Sequence, residues 1–244
     1  MAINIFPITL KESFMITPKV KHFVFNCELS PSFNYEPGQF ITLHFEHEGK
    51  TLKRSYSIAC EPKQDNQIEF AAGYFAHGPG TELLFNLKPG DIINISGPFG
   101  RLIMKEEQPG RYILVATSTG ITPYRAMLME LGKQIEQNSQ LQVVILQGVQ
   151  RREEILYATD FQSFAQKYPQ VTFLSYLSRQ SNNDLLANER SGYVQHAFPT
   201  LGLNPQHDVV YLCGNPGMID EAFTYLKEQG FAMQQIIREK YISR

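Results

Sequence analysis

The 244-residue chain has only three cysteines, Cys27, Cys60 and Cys213, and they lie far apart. So small and odd a number argues against a disulfide framework, a cysteine-based zinc site or a cysteine-ligated iron–sulfur cluster within the chain. Any redox chemistry then requires a bound organic cofactor. Charge of one sign is lacking as well. Lys plus Arg number 22 and Asp plus Glu 24, a formal net charge of -2, which gives no general attraction to nucleic acid or to a membrane surface. No apolar run approaches the ~20 residues that a membrane-spanning helix needs. Residues 1–10 lack a basic stretch leading into an apolar one, so no signal peptide is expected and the expected address is cytoplasmic. Internal repeats and biased tracts are also missing. Against these absences stand 43% hydrophobic and 12% aromatic residues, enough to build the core of one large or two small domains and to exclude a disordered chain.

The pattern of the chain changes near its middle. In the first hundred residues, short β-rich runs at 20–25, 39–45, 54–59, 67–74 and 91–96 are separated by Pro37-Gly38, Gly49, Pro62, Gly78-Pro79-Gly80 and Pro89-Gly90. Many short strands with such punctuation predict a closed antiparallel β-barrel or sandwich, and closure leaves few unpaired edges. After Pro109-Gly110, continuous apolar strands at 111–117, 141–147, 171–177, 209–213 and 236–242 alternate with helices at 123–137, 153–167 and 216–229. That alternation predicts a doubly wound α/β domain on a parallel sheet. The expected domains are therefore 1–104, a barrel, and 105–244, an α/β unit, joined at the polar, breaker-rich segment 104–110.

Five clusters carry chemistry. In Lys53-Arg54-Ser55-Tyr56-Ser57, strand alternation puts Arg54 and Tyr56 on one face and Ser55 and Ser57 on the other. The guanidinium suits a phosphate, and the phenol ring offers a stacking surface. An ordinary barrel strand with a surface arginine has the same pattern. Gly78-Pro79-Gly80-Thr81 leads into a short apolar helix whose start attracts anions, although Thr81 is equally suited to be a helix N-cap. Gly97-Pro98-Phe99-Gly100 is a tight turn. In the second half, Thr117-Ser118-Thr119-Gly120-Ile121-Thr122-Pro123 joins a strand to a helix where doubly wound sheets bind nucleotide phosphates, though it is not the G-x-G-x-x-G fingerprint. Cys213-Gly214-Asn215-Pro216-Gly217-Met218 repeats that arrangement at a later strand end. A free cysteine there is read either as a buried small hydrophobe or as a site residue.

Taken together and in this order, the clusters resemble the ferredoxin–NADP(H) reductases and their flavoprotein relatives over nearly the whole chain. Arg54-Ser55-Tyr56-Ser57 is similar to the family's R-x-Y-S flavin motif, and Gly80-Thr81 to the element that holds the flavin pyrophosphate. Ser118–Pro123 resembles the G-T-G-I-x-P loop, and Cys213–Met218 the C-G-x-P-x-M motif. The resemblance implies FAD as cofactor, held by Arg54, Ser55, Tyr56, Ser57, Gly80, Thr81, Thr119 and Tyr241. Within that set it implies that Tyr56 stacks on the isoalloxazine, Ser57 approaches N5 and Tyr241 covers the ring. It implies a pyridine nucleotide at Thr119, Gly120, Cys213 and Gly214. Cys213 would lie beside nicotinamide C4 and Glu239 near the reacting centre, so that Ser57, Cys213 and Glu239 are the implied catalytic set.

Ser178 and Arg179, with Arg190 and Tyr193 downstream, resemble the family's readers of a 2′-phosphate and favour NADPH, while NADH stays open. Gln150 stands where NADPH users often carry arginine, and Arg151 or Arg152 is the candidate substitute. Ser118 replaces the usual first glycine of its loop, a replacement that requires a negative φ. The six histidines are expected to be non-catalytic, and no metal site is expected. The implied activity is electron transfer between NADPH and a one-electron carrier, ferredoxin or flavodoxin, by a monomer. Docking would be transient and charge-guided, with Lys53 and Arg101 as candidate contacts. Two alternatives remain. One is an NADH-dependent oxygenase reductase component or free-flavin reductase; the other is a non-catalytic electron-transfer or regulatory subunit.

Overall fold

A computed structural model of the chain describes residues 4–28, 33–62, 66–105 and 108–241. The chain divides into two compact units. The first comprises Met1–Ile103 with Thr122–Met127, the second Met104–Ile121 with Leu128–Arg244.

The first unit is a six-stranded antiparallel sheet built from β1 (Ile5–Thr17), β2 (Val20–Asn26), β3 (Phe40–His47), β4 (Lys50–Ser57), β5 (Gln67–Gly73) and β6 (Ile92–Phe99), with helix α1 (Pro79–Asn86) between β5 and β6. The strand order is β4-β3-β6-β1-β2-β5. Its two edges meet where Ile58, just past β4, bridges Phe70 of β5 and the Ala59 N–H donates to the Glu69 carbonyl at 2.7 Å. That contact closes the sheet into the expected barrel and leaves neither edge open along that stretch. Alternate side chains fill the interior: Phe6, Ile8 and Leu10 from β1, Phe23 and Phe25 from β2, Ile41 and Leu43 from β3. Phe25 and Phe70 stack with centroids 5.5 Å apart.

The second unit holds β7 (Arg111–Thr117), α2 (Thr122–Gln137, whose first six residues count with the first unit), β8 (Gln142–Val149), α3 (Ala158–Lys167), β9 (Val171–Leu177), β10 (Glu189–Ser191), β11 (Asp208–Gly214), α4 (Pro216–Glu228) and β12 (Ile236–Lys240). The strands are parallel in the order β10-β9-β8-β7-β11-β12. Every residue of β11 is buried, as a central parallel strand covered on both faces requires. Ile113, Val115, Leu146, Val210 and Leu212 pack against Met218, Ile219, Ala222 and Leu226 of α4. At the sheet's N-terminal end, Arg111 pairs with the fully buried Asp208 and also donates to the carbonyls of Leu201 and Gly202, each at 3.0 Å. This ties β7 to β11 at the end away from the glycine loops. Strand order runs outward in opposite directions from β7 and β11, a switch point at whose carboxyl end open α/β sheets bind ligands.

Four local expectations change. The helix expected at 153–167 begins only at Ala158, because residues 152–154 form a separate 3-10 turn. Thr81 lies inside α1, where Gly78 is the N-cap. Strands β1 and β10 were not anticipated from the sequence. Ser118 has φ +49°, not the negative value its side chain was expected to require. Of the segment 104–110, residues 106 and 107 lie outside the described residues, as does the tail after Tyr241.

Candidate functional site

In the first unit the pleat of β4 turns Arg54 and Tyr56 to one side. The Tyr56 ring is half-buried and stacks on Phe70 with centroids 5.0 Å apart and planes 27° from parallel. Burial pushes its phenol up to about 12, with Arg54 partly opposing the shift, so at neutral pH it is an uncharged flat surface. Gly80, at the start of α1, approaches both residues. A Cβ there would lie 2.9 Å from Arg54 Cγ and 3.6 Å from Tyr56 Oη. The sequence-predicted trio Arg54, Tyr56 and Gly80 is thus brought together. Thr81 turns away from it: its hydroxyl shares a proton between the carbonyls of Phe75 (2.9 Å) and Gly78 (3.0 Å), bracing the loop before α1. Ser57 ends the strand at 5% exposure. Ser55 faces the opposite side, exposed, with its hydroxyl 3.0 Å from that of Thr42. A cation, an apolar ring face and a helix start kept narrow by glycine suit a flat ring system carrying a diphosphate, so the residues present fit FAD.

In the second unit three strand ends converge. Gly120 packs on the end of β11 so closely that a Cβ would sit 2.3 Å from the Cys213 carbonyl oxygen. Parallel register sets Cys213 beside Glu239, and the Tyr241 N–H donates to the Gly214 carbonyl at 2.8 Å. The Cys213 thiol is pushed well up, first by complete burial and then by the Glu239 carboxylate, with a hydrogen bond from Tyr241 opposing. It is therefore a neutral thiol, apolar and polarizable rather than nucleophilic. Cys213, Gly214, Glu239, Tyr241 and Gly120 form one cluster, with Thr119 next to it in the short 3-10 turn Ser118–Ile121.

Sequence reasoning missed two supports of this cluster. Thr117 Oγ1 accepts from the Asn215 N–H at 2.8 Å and links the loops after β7 and β11. Asn215 caps α4, its Oδ1 accepting from the N–H groups of Gly217 (2.8 Å) and Met218 (3.2 Å). An asparagine directly before a Pro-Gly helix start was a readable signal for the cap. For Thr117 nothing local distinguished it.

Further along the same rim, the Ser178 N–H donates to the Val149 carbonyl (3.0 Å) and the Arg179 N–H to the Gln150 carbonyl (2.8 Å). These bonds extend the β8–β9 ladder and bring Arg151 and Arg179 to neighbouring strand ends, both exposed. Arg190, paired with Tyr176 across β10 and β9, is exposed too, and Tyr193 just beyond is 61% exposed with its ring edge-on to His196. Arg152 is committed elsewhere. It grips the buried Glu189 with two bonds of 2.7 Å and donates to the Asp184 carbonyl. Of the two arginines after Gln150, the structure leaves Arg151 at the surface.

Residues 7–103 match the family described as Oxidoreductase FAD-binding domain, and residues 114–223 the Oxidoreductase NAD-binding domain. A ferredoxin–NADP reductase of Azotobacter vinelandii is 30% identical over 230 residues, covering 87% of this chain and 85% of that protein. The phenol 2-monooxygenase reductase component of Pseudomonas sp. strain CF600 is 25% identical over 228 residues, covering 93% of this chain and 62% of that one. Among solved structures, a ferredoxin NADP+ reductase from Neisseria gonorrhoeae with bound FAD and NADP has the same fold, with TM-score 0.83 at 22% identity over 97% of this chain and 98% of that one. Among the described residues no helix is long and apolar enough to cross a membrane. Both domain families, matched in order, and a relative 30% identical over most of its length make the chain a reductase-type flavoenzyme of the ferredoxin–NADP reductase family.

Proposed function

We propose that this enzyme moves electrons between NADPH and a separate one-electron carrier protein, ferredoxin or flavodoxin, with FAD held on domain 1–104 and the nucleotide on domain 105–244. Bound FAD supplies hydride exchange at N5 with nicotinamide C4 and single-electron exchange with the carrier. The chain's residues bind and orient. Arg54, the backbone at Gly80 and the loop braced by Thr81 hold the diphosphate, Ser55 contributes through its backbone, Tyr56 supports the ring and Ser57 borders N5. Cys213 excludes water beside nicotinamide C4 without competing as a nucleophile. The Glu239 carboxylate next to it favours the cationic, oxidised nicotinamide. Thr119 and Gly120 would line the nucleotide's path with Gly214, and Tyr241 would supply an aromatic ring for contact with the flavin.

The choice of NADPH rests on one observation, the exposed arginines 151, 179 and 190 at adjacent strand ends beside Ser178 and Tyr193. A 2′-phosphate needs such cations, and an adenine such a ring. One chain carries both cradles, so a monomer suffices, and NADPH and its carriers are expected in the cytoplasm. Gln150 and the 25% identity to an oxygenase reductase component support a second reading, an NADH-dependent reductase.

Anaerobic titration of the purified protein, followed in the visible spectrum, separates these readings. Flavin bleaching by NADPH well before NADH is the expected result. Bleaching by NADH alone favours the second reading, and no flavin band after adding FAD overturns both. Salt-sensitive reduction of an acidic carrier is expected in turnover, with Lys53→Glu and Arg101→Glu slowing it, because docking is charge-guided. Salt-independent turnover counts against such a partner.

A further inference from the structure

We infer that Arg125 is a positioning residue for the flavin cradle: through the Ala59 carbonyl and the Glu69 carboxylate it holds the chain that follows Ser57 against β5. This rests on the reading of Tyr56 and Ser57 as flavin contacts.

Strand β4 ends at Ser57, the residue given the place beside N5. Beyond it the pairing thins to the Ile58–Phe70 bridge, with bonds from the Ile58 N–H to the Gln39 carbonyl (3.0 Å) and from the Ala59 N–H to the Glu69 carbonyl (2.7 Å). Ala59 is fully buried, so its carbonyl needs a partner or carries a desolvation penalty. Arg125 supplies it: Nη1 donates to the Ala59 carbonyl at 2.9 Å and to Glu69 Oε2 at 2.8 Å.

Glu69 is 6% exposed and His22 2%, and the His22 ring nitrogen Nε2 lies 3.3 Å from the same Oε2. A carboxylate so buried persists only with partners, and these come from β2 and from the 122–127 segment. Glu69 is also next in sequence to Phe70, whose ring supports Tyr56 at 5.0 Å. One arginine therefore fixes the backbone two residues past Ser57 and the strand that backs Tyr56. Both bonds leave the same Nη1, whose two hydrogens lie in the guanidinium plane at fixed angles, a geometry that the freely rotating ammonium of a lysine does not hold.

The test compares wild type, Arg125→Met, Arg125→Lys, Glu69→Gln, Tyr56→Ala and, as a control for stability alone, Arg111→Met in the Asp208 pair of the second unit. Each is read as full-length holoenzyme by FAD dissociation constant, visible circular dichroism of the bound flavin and KM for NADPH. Arg125→Met is expected to weaken FAD about tenfold and to change the flavin dichroism with KM for NADPH unmoved. Arg125→Lys should recover part of both, and Arg111→Met should lower Tm without touching the flavin signal. If Arg125→Met keeps the wild-type affinity and dichroism while Tyr56→Ala loses them, Arg125 has no positioning role and the cradle stands. If Tyr56→Ala changes nothing either, the cradle reading falls and this inference with it. Should Arg125→Met fail to fold, Glu69→Gln decides, an unaltered flavin signal overturning the proposal.

Discussion

The two units build their candidate sites from different materials. In the barrel the site is made of side chains on the body of a strand, where Arg54 and Tyr56 emerge from β4 beside Gly80. In the parallel sheet it is made largely of backbone at strand ends, where Gly120, Cys213 and Gly214 touch, Glu239 and Tyr241 add polar side chains, and Thr117 and Asn215 brace the loops. An antiparallel strand can present alternate residues outward along its length, whereas a parallel strand covered by helices on both faces is accessible only at its end. Substitutions should therefore act differently in the two places. In the barrel they should remove an interaction; at the rim they should displace the main chain.

The largest effect is expected at the rim. Gly120→Ala drives a Cβ into the Cys213 carbonyl and should cost about 3 kcal/mol of stability. Nicotinamide use should fall with it while FAD binding is retained. Thermal unfolding and pyridine-nucleotide kinetics check this, and a wild-type Tm would show that the rim yields more than a packed backbone should. In the barrel, Tyr56→Ala leaves the fold and removes the stacking face, costing roughly 2 kcal/mol of FAD affinity, about thirtyfold in dissociation constant. Flavin fluorescence on dilution measures it.

Arg179→Ala tests the rim's side-chain contribution. KM for NADPH should rise roughly tenfold and that for NADH little, and equal rises would remove Arg179 from the 2′-phosphate. Ser118→Gly should stabilise the protein by about 1 kcal/mol, since φ +49° is strained for serine and not for glycine. The accompanying rise in Tm is about 2–4 °C, and an unchanged Tm would mean the loop relaxes around serine. Smallest is an acid effect. Arg152 holds the Glu189 carboxyl below its ordinary value of 4.5, so the pair stabilises the fold fully above pH 4.5 and loses that contribution as pH falls through the lowered value. Glu189→Gln should flatten the stability curve in that window, as urea titrations between pH 3 and 6 would register.

Much of this molecule was legible locally. The shift from short punctuated strands to apolar strands alternating with helices located both sheets, and β9 falls on the expected residues. Strand β1 was not legible because its alternation stops at Leu10, after which most side chains are exposed, and because Pro7 sits within it opposite Asn94. Strand β10 has three residues, too few for any period. Motif spacing brought Arg54, Tyr56 and Gly80 to notice, and likewise Gly120 and Cys213, whereas Glu239 came only from the family resemblance. It could not tell that Thr81 braces a loop and does not cap the helix, or that Arg152 is consumed by Glu189 while Arg151 remains exposed.

By itself, then, the sequence determined what depends on neighbours a few residues apart: periodicity, turn chemistry and glycines before helix starts. Tertiary structure alone decided what depends on partners brought together across the chain. The barrel closes through Ile58 and Phe70, Thr117 ties two loops, and the carboxylate of Glu69 gathers His22 and Arg125. A buried polar group must be satisfied by whatever the fold delivers to it, and that delivery is set by packing rather than by local order in the chain.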